Sequence, residues 1–300
     1  MFTNALDAVA PAYLARALCG AGIAVHLLDD NPTSIRLIER AIALCEQAGD
    51  ALGAARARRD LLLPLRIIGD IERFHATAAL CEPVIVAAGD LFSLGWVTFL
   101  RGLVAMDTVD LAAAWEGLSA GRALFIRCGE RHTADWICIN LGNVARLRGD
   151  LEEAERQYQI ALDTQRATNS RDSVAQIVLN QGNVARLRGD LQRARAIYRE
   201  VLPELYEVGN RRRVADCFEA IGALLAVEGD AQTAAQLCAA AVALRARIGV
   251  PLSPAEAPGY EQIRRQVRAA LLQEEADAAW AAGSALDLDA AYALARRALA

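Results

Sequence analysis

The decapeptide GNVARLRGDL stands at Gly142–Leu151 and again, letter for letter, at Gly182–Leu191. Its Gly-Asp pair belongs to a finer ruler, because Gly-Asp also occurs at Gly49-Asp50, Gly69-Asp70, Gly89-Asp90 and Gly229-Asp230. The remaining marks on the same grid are Asp29-Asp30, Val109-Asp110, Gly129-Glu130, Asn169-Ser170, Gly209-Asn210 and Gly249-Val250. Glycine or asparagine just past a helix accepts left-handed backbone. An Asp or Ser beside it caps the next helix by accepting from its free N–H groups. Each interval therefore predicts one helix of roughly 15 residues and a short turn. Two intervals make a helical hairpin, and a hairpin repeated at fixed period makes a stacked array in which each copy meets its neighbours.

The two decapeptides are followed by Ala154, Tyr158, Ala161 and Leu162 in one copy and by Ala194, Tyr198, Val201 and Leu202 in the other. Positions i, i+4 and i+7 share one helix face, so small residues permit close approach while the tyrosine fills the remaining space. Leu141-Gly142, Gly149, Ala154, Tyr158 and Ala161 resemble the tetratricopeptide repeat, with Gln181 replacing the leucine in the next hairpin. The hairpin at 210–249 fits through Gly222, Gly229, Ala234 and Ala241, and those at 50–89 and 90–129 by grid and apolar spacing. The resemblance covers about residues 10–250. It implies an all-α fold, a right-handed α-solenoid of about six 40-residue hairpins over 1–250, with a linker and C-terminal capping helices over 251–300.

Within that tail, Pro251, Pro254 and Pro258 mark the linker and Tyr260–Ala282 reads as one amphipathic helix. Ser284 with Asp287 forms a capping box for a last helix over 285–299. Pro83 and Pro203 fall late in second helices and predict a kink or an early end, and Pro64 predicts a bend in a first helix. The stretch AWAAGSALDLDAAYALARRAL, Ala279–Leu299, resembles the tail of repeat regions in bacterial STAND-class ATPase regulators of the LuxR- and AfsR-like kind. That resemblance implies a sensor region to which an NTPase and a DNA-binding domain would be attached or partnered.

Composition narrows the chemistry. The net charge of −5 argues against direct nucleic-acid binding. All 32 basic residues are arginine, so there is no lysine for a phosphate loop, a Schiff base or a kinase-type ATP site. The 7 cysteines form no C-x-x-C pair and mostly occupy apolar helix positions, which fits a cytoplasmic protein. No signal peptide is evident, and the longest apolar stretch, Leu94 to Met106, contains Arg101 and is too short to span a membrane. His26, His75 and His132 share no metal-ligand spacing. No catalytic motif occurs, so the expectation is a non-enzymatic module that needs no cofactor.

In the resembling family the first helix of each hairpin lines the concave groove. Counting back from each turn, this face carries Trp96, Phe99, Leu103 and Met106, then Trp136, Asn140, Asn143 and Arg146, then Gln176, Asn180, Asn183 and Arg186. Arg56, Arg59 and Arg66 precede them, and Asp216 and Glu219 follow. Asparagine both donates and accepts, so a ladder of asparagines can pair with the main chain of an extended peptide. Arginine adds a forked donor for carboxylate or phosphate. The alternative is that the repeated asparagines come from copying and satisfy hydrogen bonds at helix ends or between hairpins. The expected partner is a protein or peptide segment, or a small anionic effector, in the groove. The other reading is a scaffold or oligomerisation module, with homodimer formation through apolar surface.

Overall fold

A computed structural model describes residues 2–28, 30–252 and 254–300, with side chains from Pro11 onward. Among them lie fifteen helices and no strand. They are α1 (Phe2–His26), α2 (Asn31–Gln47), α3 (Ala51–Ile67), α4 (Ile71–Ala87), α5 (Leu91–Asp107), α6 (Leu111–Arg127), α7 (Arg131–Leu147) and α8 (Leu151–Ala167). There follow α9 (Arg171–Leu187), α10 (Leu191–Val208), α11 (Arg211–Glu228), α12 (Ala231–Ile248), α13 (Ala257–Ala270), α14 (Gln273–Ser284) and α15 (Leu288–Leu299). Helices α1 to α12 form six successive hairpins on the expected grid, an α-solenoid architecture of tetratricopeptide type. The chain divides into two compact units, residues 1–106 with 112–134, and residues 107–111 with 135–300.

The ruler works through the backbone chemistry that predicts it. Gly49 takes φ +70°, and the amides of Gly49 and Asp50 return to the carbonyls of Glu46 and Cys45. Those paired bonds close the C-terminus of α2 in a Schellman motif. Asp50 then caps α3 by accepting from Gly53 N at 2.8 Å. The same cap recurs with Asp150 on Glu153 N, Asp190 on Arg193 N and Asn210 on Arg213 N, each at 3.1 Å. Asn169 (φ +54°) and Val109 (φ +64°) take the glycine's place in two turns. For the β-branched Val109 that conformation costs about 1–2 kcal/mol. Asp30 caps α2 through Thr33 N, while Asp29 of the Asp29-Asp30 pair lies outside the described residues.

The hairpins close at one pair of addresses. A Cβ on Gly142 of α7 would stand 2.6 Å from Tyr158 Cδ1, and one on Gly182 of α9 would stand 2.5 Å from Tyr198 Cε1. Gly222 faces Cys238 in the same way, Gly102 faces Leu118, and Gly22 faces Ile38. The partner lies sixteen positions after its glycine each time, so one helix supplies the gap and its successor the filling. In the second hairpin the sizes are exchanged, with Leu62 and Ala78, both fully buried, at these two addresses.

Pro64, Pro83 and Pro203 lie inside α3, α4 and α10, so neither Pro83 nor Pro203 ends its helix early. Two expectations for the tail also change. The single helix expected over Tyr260–Ala282 is broken at Leu271-Leu272, where Leu271 is extended and the carboxylate of Glu275 accepts from Leu272 N. Ser284 closes α14 instead of opening the last helix, which Asp287 caps by accepting from Ala290 N. Helices α13 to α15 pack against α10, α11 and α12. Arg199 Nε and Arg195 Nη1 donate to the carbonyls of Leu299 and Ala298 at 2.8 and 2.6 Å, satisfying the open end of α15.

Candidate interaction face

In the second unit, α7 and α9 present the repeated asparagines. Tyr158 donates its hydroxyl to Asn143 Oδ1 at 2.7 Å, and Tyr198 donates to Asn183 Oδ1 at 2.9 Å. Asn180 Nδ2 donates to the same Asn143 oxygen at 3.0 Å, tying one hairpin to the next. The oxygens of both repeated asparagines are thus engaged inside the protein. The bonds between hairpins accompany whatever the amide donors of Asn143 and Asn183 do. Burial pushes the Tyr158 hydroxyl up to about 12 and raises Tyr198 as well, so both remain neutral donors at physiological pH.

Arg146 lies beside this ladder and its guanidinium meets Glu256 Oε1 at 2.5 Å. Glu256 immediately precedes α13, in the proline-bearing segment that leaves α12. Burial alone would lower the Arg146 pKa, but the Glu256 carboxylate and the Tyr158 hydroxyl raise it. Tyr260 continues the segment with its hydroxyl donating to the Cys238 carbonyl at 3.3 Å. Arg186, the repeat of Arg146, has its Nε buried with no hydrogen-bond partner. Gln176, Asn180 and Trp136 are half-buried. Asp216 and Glu219 are drawn together by Arg245 of α12, whose Nε donates to Glu219 Oε1 at 2.8 Å.

In the first unit, Trp96 is half-buried and its ring meets Phe99 edge-on at 5.7 Å and Phe125 at 5.5 Å. Phe99 itself is 1% exposed. It backs Trp96 from within the core instead of facing solvent. The tryptophans at 96 and 136 share an address but fall in different units. Arg56 pairs with Asp90 at 2.7 Å, and Arg59 pairs with its neighbour Asp60. Sequence reasoning missed Glu256, because nothing local links residue 256 to residue 146. It also missed Asp60, which stands at the address of Asn140 one grid cycle after another and was legible by the same counting.

Among the described residues no group of three His, Cys, Asp or Glu side chains could hold a metal ion. No described helix is long and apolar enough to cross a membrane. Stacked helical hairpins with a polar ladder on their first-helix face define a repeat-type interaction module. Residues 132–203 match the tetratricopeptide repeat family model. No curated protein sequence matches the chain. Among solved structures it is similar to BtubC (BKLC) from P. vanneervenii, at TM-score 0.56 and 16% identity over 74% of this chain and 94% of that one. It is also similar to a Signal Transduction ATPase with Numerous Domains (STAND) protein with a tetratricopeptide repeat sensor from Pyrococcus horikoshii. That match has TM-score 0.61 and 12% identity, covering 90% of this chain and 41% of that one. The chain therefore spans well under half of the STAND protein, and both likenesses are likenesses of fold.

Proposed function

We propose that the first-helix face of the second unit receives an extended, carboxylate-bearing segment of a partner protein. The observation that carries this reading is Glu256 on Arg146: a proline-rich acidic stretch of the chain itself already pairs with the face. Arg186 repeats the same donor beside Tyr198, and Asn143 and Asn183 retain amide donors suited to a peptide backbone. An arginine fork gives a carboxylate two parallel hydrogen bonds, so the face selects acidic over basic segments. By analogy with the tetratricopeptide sensor of the STAND protein, the module is the sensor or interaction region of a signalling regulator, biasing an attached or partner domain when its ligand binds.

The test is fluorescence anisotropy with a labelled synthetic peptide copying residues 250–261. Saturable binding that Arg146→Gln or Arg186→Gln weakens by about tenfold, the scale of one charged hydrogen bond, supports the assignment. Equal affinity for the parent protein and both variants would remove it.

A further inference from the structure

A cavity of about 320 Å³ opens on the first-helix face of the first unit, between α1, α2, α3 and α5. At ~30 Å³ for each water it has room for about ten water-sized groups. Its walls are mostly apolar, from Ile23, Ile38, Leu63 and Leu100, with the rings of Phe92 and Trp96 on one side. Four polar side chains also line it: His26, Ser34, Arg59 and Asp60. An apolar hollow with a few convergent polar groups is the form that small-molecule sites take.

The hydrogen bonding of those four groups is incomplete in one particular way. Ser34 is fully buried and its Oγ has no hydrogen-bond partner. Leaving a buried hydroxyl unpaired costs stability, so such a group calls for an explanation. Arg59, by contrast, is already engaged. Its Nε and Nη2 donate to Asp60 Oδ1 at 2.9 and 2.5 Å, its Nη1 donates to Ser93 Oγ at 3.0 Å, and its guanidinium lies 5.7 Å from the Phe92 ring centre. The charge of Arg59 is thus balanced, and both of its bonds to Asp60 use one oxygen, leaving Oδ2 to the cavity. His26 Nδ1 lies 2.7 Å from Asn31 Oδ1 and donates to it, so this nitrogen is already engaged.

We infer that this cavity binds a small, uncharged, mainly apolar molecule that carries an aromatic ring and a single hydroxyl group. The ring lies against Trp96 and Phe92, and the hydroxyl accepts from Ser34 Oγ while donating to Asp60 Oδ2. An anionic ligand is disfavoured because the Asp60 carboxylate faces the same space and already balances the charge of Arg59. Burial already pushes the Asp60 carboxyl above its ordinary value, against the pull of Arg59, and a hydroxyl donor would relieve that.

The test is isothermal titration calorimetry of the full chain with 4-ethylphenol, ethylbenzene and 4-ethylbenzoate. The expected order is 4-ethylphenol tightest, ethylbenzene about a hundredfold weaker for want of two hydrogen bonds, and 4-ethylbenzoate weakest. Ser34→Ala should weaken 4-ethylphenol by about tenfold, the bond to Asp60 remaining, leave ethylbenzene unchanged, and hold or raise the Tm, because it removes an unpaired hydroxyl. Leu63→Trp, checked for an intact melt, should fill the cavity and abolish both. Absence of saturable 4-ethylphenol binding, a preference for 4-ethylbenzoate, or affinity for 4-ethylphenol that Ser34→Ala leaves unchanged would each overturn the inference. The Ser34→Ala arm stands even if Leu63→Trp does not fold.

Discussion

At equivalent addresses the two units of this protein carry different chemistry on one backbone plan. Where the second unit has Asn140, Asn143 and Arg146, the first has Asp60, Leu63 and Arg66 in α3 and Ile23 and His26 in α1. Where the second closes its hairpins with Tyr158 and Tyr198, the first uses Ile38, Ala78 and Leu118. The tyrosines matter because each reaches across its hairpin to hold an asparagine oxygen. Without them the first unit keeps an apolar face with a hollow in it, whereas the second keeps a polar ladder. The repeat therefore fixes where a side chain lies, and the residue chosen at each address fixes what that face can bind.

The largest effect should come from the glycines that the tyrosines lean on. Gly142→Ala and Gly182→Ala push a Cβ into a fully buried ring, and each should lower stability by about 3 kcal/mol, the upper range for overpacking. Chemical denaturation measures it, and a loss under about 1 kcal/mol would mean that ring and glycine are not the closing pair.

A pH series separates the tyrosine's bulk from its hydroxyl. Its folded pKa, about 12, lies above the ordinary 10. Between those values the folded chain keeps a proton that the unfolded chain loses, so stability falls as pH rises, by about 1.4 kcal/mol per unit. Tyr158→Phe cannot contribute this loss. The variant should be less stable than the parent at pH 8, and the gap should shrink and then reverse above pH 11 in denaturant midpoints. Parallel pH profiles would contradict the buried, neutral hydroxyl.

The smallest effect distinguishes the two tyrosines from each other. After Tyr158→Phe, Asn143 Oδ1 still accepts from Asn180. After Tyr198→Phe, Asn183 loses the one partner its oxygen has among the described hydrogen bonds. At pH 8 Tyr198→Phe should therefore cost about 1 kcal/mol and Tyr158→Phe less. The reverse order would break the ladder as drawn.

The grid of helices was legible because Gly-Asp carries its structural consequence within a few residues: a left-handed turn, then a cap. The helix breaks in the tail were less so, since Leu271-Leu272 offers no glycine or proline and depends on Glu275 reaching back to a backbone amide. Asn143 and Asn183 could be placed on a face by counting, but their tyrosine partners are set by the spacing between two helices. Arg146 and Glu256 lie still further apart in sequence, and only the return of the chain past α12 brings them together. Trp96 and Phe99 look alike on a helical count, yet one edges the cavity and the other is core.

If the second unit's face takes an acidic segment and is held by one of its own, Glu256→Gln should release it. The readout is the affinity for the labelled 250–261 peptide. Removing the internal carboxylate frees Arg146, so affinity should be about tenfold higher than for the parent chain, the worth of one charged hydrogen bond. Affinity unchanged or reduced by Glu256→Gln would contradict it.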